Sequence, residues 1–194
     1  MKEESAAAGT VLASIYRDAQ PIAEYISNLP PDQRAIHALH ARRAVVEASA
    51  VSAVIAASIQ GVLVITEPWC GDSLAILPVI QQLFEQANVS VRIVPRDEPP
   101  FLIDRYLTRG GRAIPMVILL QPNGEERAHW GPRPGPAQML FERAREALTS
   151  GHTKRADITR QIRRFYARDR GRTIIAEIVT ALHTPPRPRQ PRQT

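Results

Sequence analysis

The sequence predicts an α/β domain with helical additions at both ends, and three observations carry that reading. Short β-branched or aliphatic runs at Val62–Thr66, Val89–Val94 and Met116–Leu120 alternate with stretches of helical periodicity. Asn123-Gly124 stands between the third run and a fourth at about Arg127–Trp130, as a hairpin turn does, because Asn and Gly tolerate positive φ. Before and after this block, apolar residues recur only at helical spacing. The chain has 194 residues, 44% hydrophobic and 23% charged, enough to bury a sizeable core and too apolar for wholesale disorder.

Taken in order, the N-terminal part reads as helical. Val11, Leu12, Ile15, Ala19, Ile22 and Ile26 predict one amphipathic helix over 10–27. Leu29-Pro30-Pro31 breaks it, and Asp32 is placed to cap a second helix running, straight or with a bend, to about Gln60, where Gly61 stops it. After the first strand, Leu74, Leu77, Val79, Ile80, Leu83 and Phe84 predict a long helix, and Pro99–Leu107 a short one. Pro136 opens a helix to Leu148. Two more follow at about Ala156–Ala167 and Thr173–Leu182, hinged at Gly171. PPRPRQPRQT at the end has no apolar anchor and is expected to be disordered.

Charge and composition narrow the function. Net charge is +6, but 152–194 carry eleven Lys/Arg against three Asp/Glu, while the preceding residues are slightly acidic. Arg160, Arg163 and Arg164 share one helix face, flanked by Arg155, Arg168, Arg170 and Arg172. That stripe is a weak polyanion signal, lacking an aromatic platform, and nucleic-acid contact is not expected. A single cysteine excludes a disulfide framework, a Cys-rich zinc site and any two-cysteine redox cycle within the chain. His37 and His40 share a helix face without a third ligand, and His129, His152 and His183 are scattered, so no metal site is expected. No apolar run spans a bilayer and the N-terminus does not read as a signal peptide, which makes a cytoplasmic protein without membrane contact the expectation.

The chemistry concentrates at Glu67-Pro68-Trp69-Cys70-Gly71-Asp72-Ser73, between a strand and a helix. Unpaired N–H groups and the positive end of a helix dipole favour a thiolate at Cys70. Trp69 offers a flat apolar surface beside the sulfur, Gly71 admits a closely approaching backbone, and Asp72 opposes ionisation by its own charge. The alternative for a lone cysteine is an inert small hydrophobe.

This segment, with Pro78 eight residues beyond Cys70, resembles the thioredoxin family. The resemblance resumes in Tyr106-Leu-Thr-Arg-Gly-Gly-Arg-Ala-Ile-Pro-Met-Val-Ile-Leu-Leu and Pro122-Asn-Gly-Glu, and covers about Val62–Leu148. It is nearest to a bacterial branch whose motif reads Trp-Cys-Gly-Asp-x, with helices before and after the domain and a segment like Trp130–Pro134. The resemblance implies a three-layer fold around a central mixed β-sheet, with a thioredoxin-like core at 61–151. Around it lie an N-terminal helical extension at 1–60, a C-terminal helical extension at 152–184 and a basic tail at 185–194. It also implies a cis Ile114-Pro115 bond against Cys70, leaving the Ile114 backbone to pair with a peptide or thiol ligand. Cys70 and Ser73 are the expected catalytic positions, and Trp69, Gly71, Asp72, Ile114 and Pro115 the expected substrate contacts.

Two departures from the family matter. Ser73 takes the place of the resolving cysteine, so a mixed disulfide on Cys70 needs an outside thiol for release. Val64 stands where thioredoxins often carry a buried acid. The resulting expectation is monothiol exchange with a protein or small-molecule thiol or disulfide. No cofactor is bound, and a low-molecular-weight thiol such as glutathione serves as co-substrate, with Arg109 and Arg112 either pairing its carboxylates or standing as solvated loop charge. The alternative is a non-catalytic binding module using the same Cys70/Pro115 groove.

Overall fold

The computed structural model describes residues 11–149 and 154–184. The tail expected to be disordered lies outside them. The first helix, α1, covers 11–18, followed by β1 (Gln20–Pro21), α2 (Ile22–Ser27), α3 (Pro31–Arg43) and α4 (Ala48–Ala56). The central part runs β2 (Gly61–Ile65), α5 (Ser73–Gln86), β3 (Ser90–Val94), α6 (Pro100–Ile103), β4 (Met116–Leu120) and β5 (Glu126–Trp130). Helices α7 (Gly135–Thr149), α8 (Arg155–Asp169) and α9 (Arg172–His183) complete the described chain.

The five strands form one mixed sheet in the order β1-β3-β2-β4-β5. β2 and β3 are parallel, with Val62 opposite Val91 and Ile65 opposite Val94, joined across α5. The other pairings are antiparallel: β2 with β4, β4 with β5, and β1 with β3. Every residue of β2 and β4 is buried, as expected for uniformly apolar central strands covered on both faces.

Strand alternation sorts the core into two layers. Val62, Val64, Val117 and Leu119 face α2, α4, α5 and α9, meeting Tyr25, Val54, Ile80, Phe84 and Ile178. Leu63, Ile65, Ile118 and Leu120 face the opposite way, onto Leu12 of α1 and Leu102 and Ile103 of α6. The N-terminal segment therefore wraps the sheet, with α1 on one face and α2 on the other. A fully buried side chain such as Phe84 or Ile118 contributes ~1.5–3 kcal/mol by leaving water.

Several expectations are corrected. The helix expected over 10–27 is interrupted within the described residues: Pro21 has no N–H to continue it and pushes Gln20 into extended geometry, where both pair with β3. The second helix ends at Arg43, and Ala44–Glu47 run without helix before α4 starts. Asp32 lies inside the first turn of α3, whose N-cap is Pro30 with no side-chain hydrogen bond. Gly61 is not a helix stop but the first residue of β2. Its missing side chain leaves room for the Tyr16 ring, which a Cβ there would strike, and the Tyr16 hydroxyl donates to the Ser90 carbonyl at 3.1 Å. The stretch Pro99–Leu107 holds a single helical turn. The Asn123-Gly124 hairpin is closed by Gln121 N–H donating to the Glu125 carbonyl at 2.8 Å and by Asn123 Oδ1 accepting from Glu125 N–H at 3.0 Å.

The C-terminal helices turn at Arg170 and Gly171, both left-handed, with φ of 57° and 83°. Gly171 sits against Val79 of α5, where a Cβ would come within 2.6 Å of a methyl group. Pro78 lies inside α5 and is buried. Among the described residues, no helix is long and apolar enough to cross a membrane.

Candidate functional site

The segment Thr66–Asp72 links the C-terminal end of β2 to α5, and the cis Ile114-Pro115 bond precedes β4, antiparallel to β2. Ile65 pairs with Met116, so the two segments leave the sheet side by side. That register brings the Cys70 Sγ within 3.4 Å of the Ile114 carbonyl, to which the thiol donates.

Cys70 does not stand in the first turn of α5, which starts at Ser73; it sits in the preceding turn, its N–H donating to the Glu67 carbonyl at 3.0 Å. The residue is buried, with 7% of its surface exposed, and it belongs to the core layer of Ile65, Tyr106, Ile114 and Met116. Trp69 beside it is 63% exposed, with the Arg96 guanidinium 5.0 Å from its ring centroid. The space where a Gly71 side chain would point is open. Trp69 and Gly71 thus form the outer lip of the turn, with the sulfur beneath.

Ser73 is 2% exposed and shares a 2.6 Å hydrogen bond with Thr66 Oγ1. It therefore ties the start of α5 to the end of β2, and its hydroxyl makes no helix cap. Tyr25 from α2 reaches the same threonine, and burial, foremost, together with the Cys70 and Glu67 side chains pushes its phenol well above the usual range.

Asp72 is also engaged. Its Oδ2 lies 2.6 Å from Arg133 Nη2, with 13% and 15% of the two side chains exposed, and its Oδ1 accepts from the Tyr166 hydroxyl at 3.0 Å. Burial, then the Asp72 carboxylate, hold the Tyr166 phenol far above its ordinary range, so it remains a donor. Arg133 also stacks on Phe141, 4.2 Å from its ring centroid. Glu177 of α9 accepts from Trp130 Nε1 and Gly135 N–H, both at 2.8 Å, pinning the segment that carries Arg133.

The arginines before Pro115 are paired within the chain. Arg112 forks onto Asp104 at 2.7 and 2.8 Å and reaches Asp97 at 3.4 Å, and Arg109 lies 2.9 Å from Glu142. Arg96 forks onto Asp97, so Arg96, Asp97, Arg112 and Asp104 form a chain of charges from Trp69 to the loop before Pro115. On α8, Arg155, Arg160, Arg163 and Arg164 are exposed and line a surface depression. Among the described residues no cluster of three His, Cys, Asp or Glu side chains has metal-binding geometry.

The sequence reading named the Cys70 turn and Ile114-Pro115, which the fold brings together. It missed the roles of Thr66, Tyr25, Arg133 and Tyr166. Arg133 and Tyr166 lie 61 and 94 positions from Asp72, and no local pattern marks such partners.

The family model described as Thioredoxin matches residues 21–146. No curated protein matches the chain. Among solved structures, a protein of unknown function from Pseudomonas aeruginosa is 14% identical with a TM-score of 0.64, over 88% of this chain and 96% of that one. An HIV epitope-scaffold is 15% identical with a TM-score of 0.64 over the same shares. At these identities the likeness shows the fold alone.

Proposed function

The chain belongs to the thioredoxin family, and on that premise we propose that it is a monothiol exchange protein acting through Cys70, nearest to the Trp-Cys-Gly-Asp branch. The observation that carries the reading is the 3.4 Å approach of Cys70 Sγ to the Ile114 carbonyl beside Pro115, under an exposed Trp69, in a chain with no second cysteine. The Cys70 thiolate attacks a disulfide R–S–S–R′, forming Cys70–S–S–R and releasing R′ as a thiolate that takes up a proton. An outside thiol then attacks the sulfur of R, forming a new disulfide and returning Cys70 to the thiol. Ser73 cannot replace that thiol, since its hydroxyl is too weakly acidic and is committed to Thr66.

The co-substrate is a low-molecular-weight thiol or a protein thiol, in a cytoplasmic setting. Arg109 and Arg112 are spent on internal carboxylates, so a small thiol is selected by Trp69, Gly71 and the Ile114 backbone rather than by a guanidinium clamp. The test is turnover of bis(2-hydroxyethyl) disulfide with glutathione as the outside thiol. The expected result is thiol release that Cys70→Ser abolishes and a glutathione adduct on Cys70 by mass spectrometry. Activity that survives Cys70→Ser refutes exchange at this residue.

One observation favours a second reading. Cys70 is 7% exposed and donates to a backbone carbonyl, as a structural thiol does. Under this reading the groove between the Cys70 turn and Pro115 holds an extended peptide without chemistry. Peptide binding that persists in Cys70→Ala, with no adduct on the wild-type sulfur, supports it over exchange.

A further inference from the structure

A cavity of about 640 Å³ opens at the carboxyl ends of the parallel strands β2 and β3, roofed by the turn from α1 to α2. This is the place where open α/β sheets receive ligands, because the strand ends diverge there and leave a crevice. Its size lies within the range of small-molecule sites. Ile15, Leu29 and Val94 give it an apolar body, and Asp18, Tyr25, Thr66 and Glu67 are the polar groups that decide its chemistry. Cys70 is not among the lining residues.

The polar groups agree in sign. No Arg, Lys or His is among the lining residues, while two carboxylates are. Glu67 Oε1 accepts from the Arg96 backbone N–H at 2.8 Å, and Oε2 has no hydrogen-bond partner among the described residues. Asp18 is exposed at the rim, 3.7 Å from Arg17. Tyr25 stays a neutral phenol, held there first by burial. Arg17 beside Asp18 and the Arg96 guanidinium, which feels the Glu67 charge, stand outside the lining, so a carboxylate or phosphate entering here faces the two acidic side chains first, whereas an ammonium group meets two acceptors and an apolar wall.

We propose that this cavity is a binding site for a small amphipathic amine, with its apolar body between α1 and the ends of β2 and β3 and its ammonium group at Glu67. The site does not depend on Cys70 chemistry. Its polar wall is nonetheless continuous with the Cys70 turn, since Thr66 bonds Ser73 and the Glu67 backbone carbonyl accepts the Cys70 N–H. An occupant at Glu67 therefore touches the segment that holds the sulfur.

The probes are 2-phenylethylamine and 3-phenylpropionate, matched in shape and opposite in charge, titrated into the full-length chain by amide NMR. The expected result is saturable binding of the amine, with shifts confined to 14–29, 66–68 and 93–99, and about tenfold weaker binding of the carboxylate. Glu67→Gln keeps an oxygen for the Arg96 N–H and narrows that preference severalfold. Ser14→Trp, filling the cavity from α1, weakens the amine at least about tenfold. Asn28→Trp does the same from the residue that follows α2 and serves if the first variant fails to fold. The proposal is overturned if the amine does not saturate, if the carboxylate binds as well, or if binding survives a folded cavity-filling variant.

Discussion

Acidification acts through His37, a group far from the sulfur. This residue of α3 is 5% exposed, and its Nε2 has no hydrogen-bond partner. Its helix packs along α5, where the Gln82 amide donates to the Ala41 carbonyl at 2.5 Å. Burial, and then the neighbouring His40, lower it from 6.5 to about 4. Between those values the unfolded chain binds a proton that the folded chain refuses, so stability falls as pH falls. The full effect, reached below the folded value, is about 3 kcal/mol, at about 1.4 kcal/mol per unit. By about pH 4.5 most of it is already lost. His40, also lowered by burial, adds in the same direction. The assay is urea denaturation at about pH 7.5 and about pH 4.5 for the wild type and His37→Leu. Leucine has similar volume and forfeits no bond at Nε2, so it should cost little near neutrality and should remove this share of the acid loss. Equal acid losses in the two chains refute the argument.

Three further outcomes are expected. Gly171→Ala adds a left-handed strain of ~1 kcal/mol and drives a Cβ to 2.6 Å from Val79, another ~1–3 kcal/mol, a loss readable as a lowered urea midpoint; a loss below about 1 kcal/mol contradicts the seating of α9 on α5. Arg133→Met leaves Asp72 with Tyr166 alone and should cost about 2–4 kcal/mol, while Asp72→Asn in the same chain recovers at least half, as a double-mutant cycle measures; additive losses deny the pairing. Ser73→Cys gives up the Thr66 hydrogen bond, about 1 kcal/mol, and should add reductase activity by resolving the mixed disulfide internally; oxidised protein with no bond between positions 70 and 73 by mass spectrometry refutes that placement.

The central strands were legible because burial on both faces leaves an uninterrupted apolar run, as in Val62–Ile65 and Met116–Leu120. Helix α5 was legible for the complementary reason, an apolar stripe recurring at helical spacing. The N-terminal region was harder. Apolar spacing carried on through Pro21 although the backbone could not, and Ala-rich α3 and α4 offer little contrast between faces to mark where one ends. In the site, the Cys70 turn and Ile114-Pro115 are local motifs, so sequence revealed them. The Asp72, Arg133 and Tyr166 contacts are not local: three ordinary residues converge only after the sheet, α7 and α8 have formed. Ser73 shows the same limit, because its partner Thr66 is set by how β2 runs into α5. Gly61 is a small case of misreading, where a residue suited to ending a helix makes room for Tyr16.

The two-residue β1 has a bearing on how these molecules behave in a crowd. A sheet normally invites strangers at its margins, where amides and carbonyls stand unclaimed. Here one margin is occupied by a strand too brief to template a ribbon, and its second residue, Pro21, has no amide to offer. At the other margin stands β5, whose Arg127 guanidinium donates to the Leu182 carbonyl of α9 at 2.7 Å. The all-apolar β2 and β4, whose sequences alone would suit a fibril, lie between these margins with a neighbour on each side, so neither offers its ladder to a counterpart in another molecule.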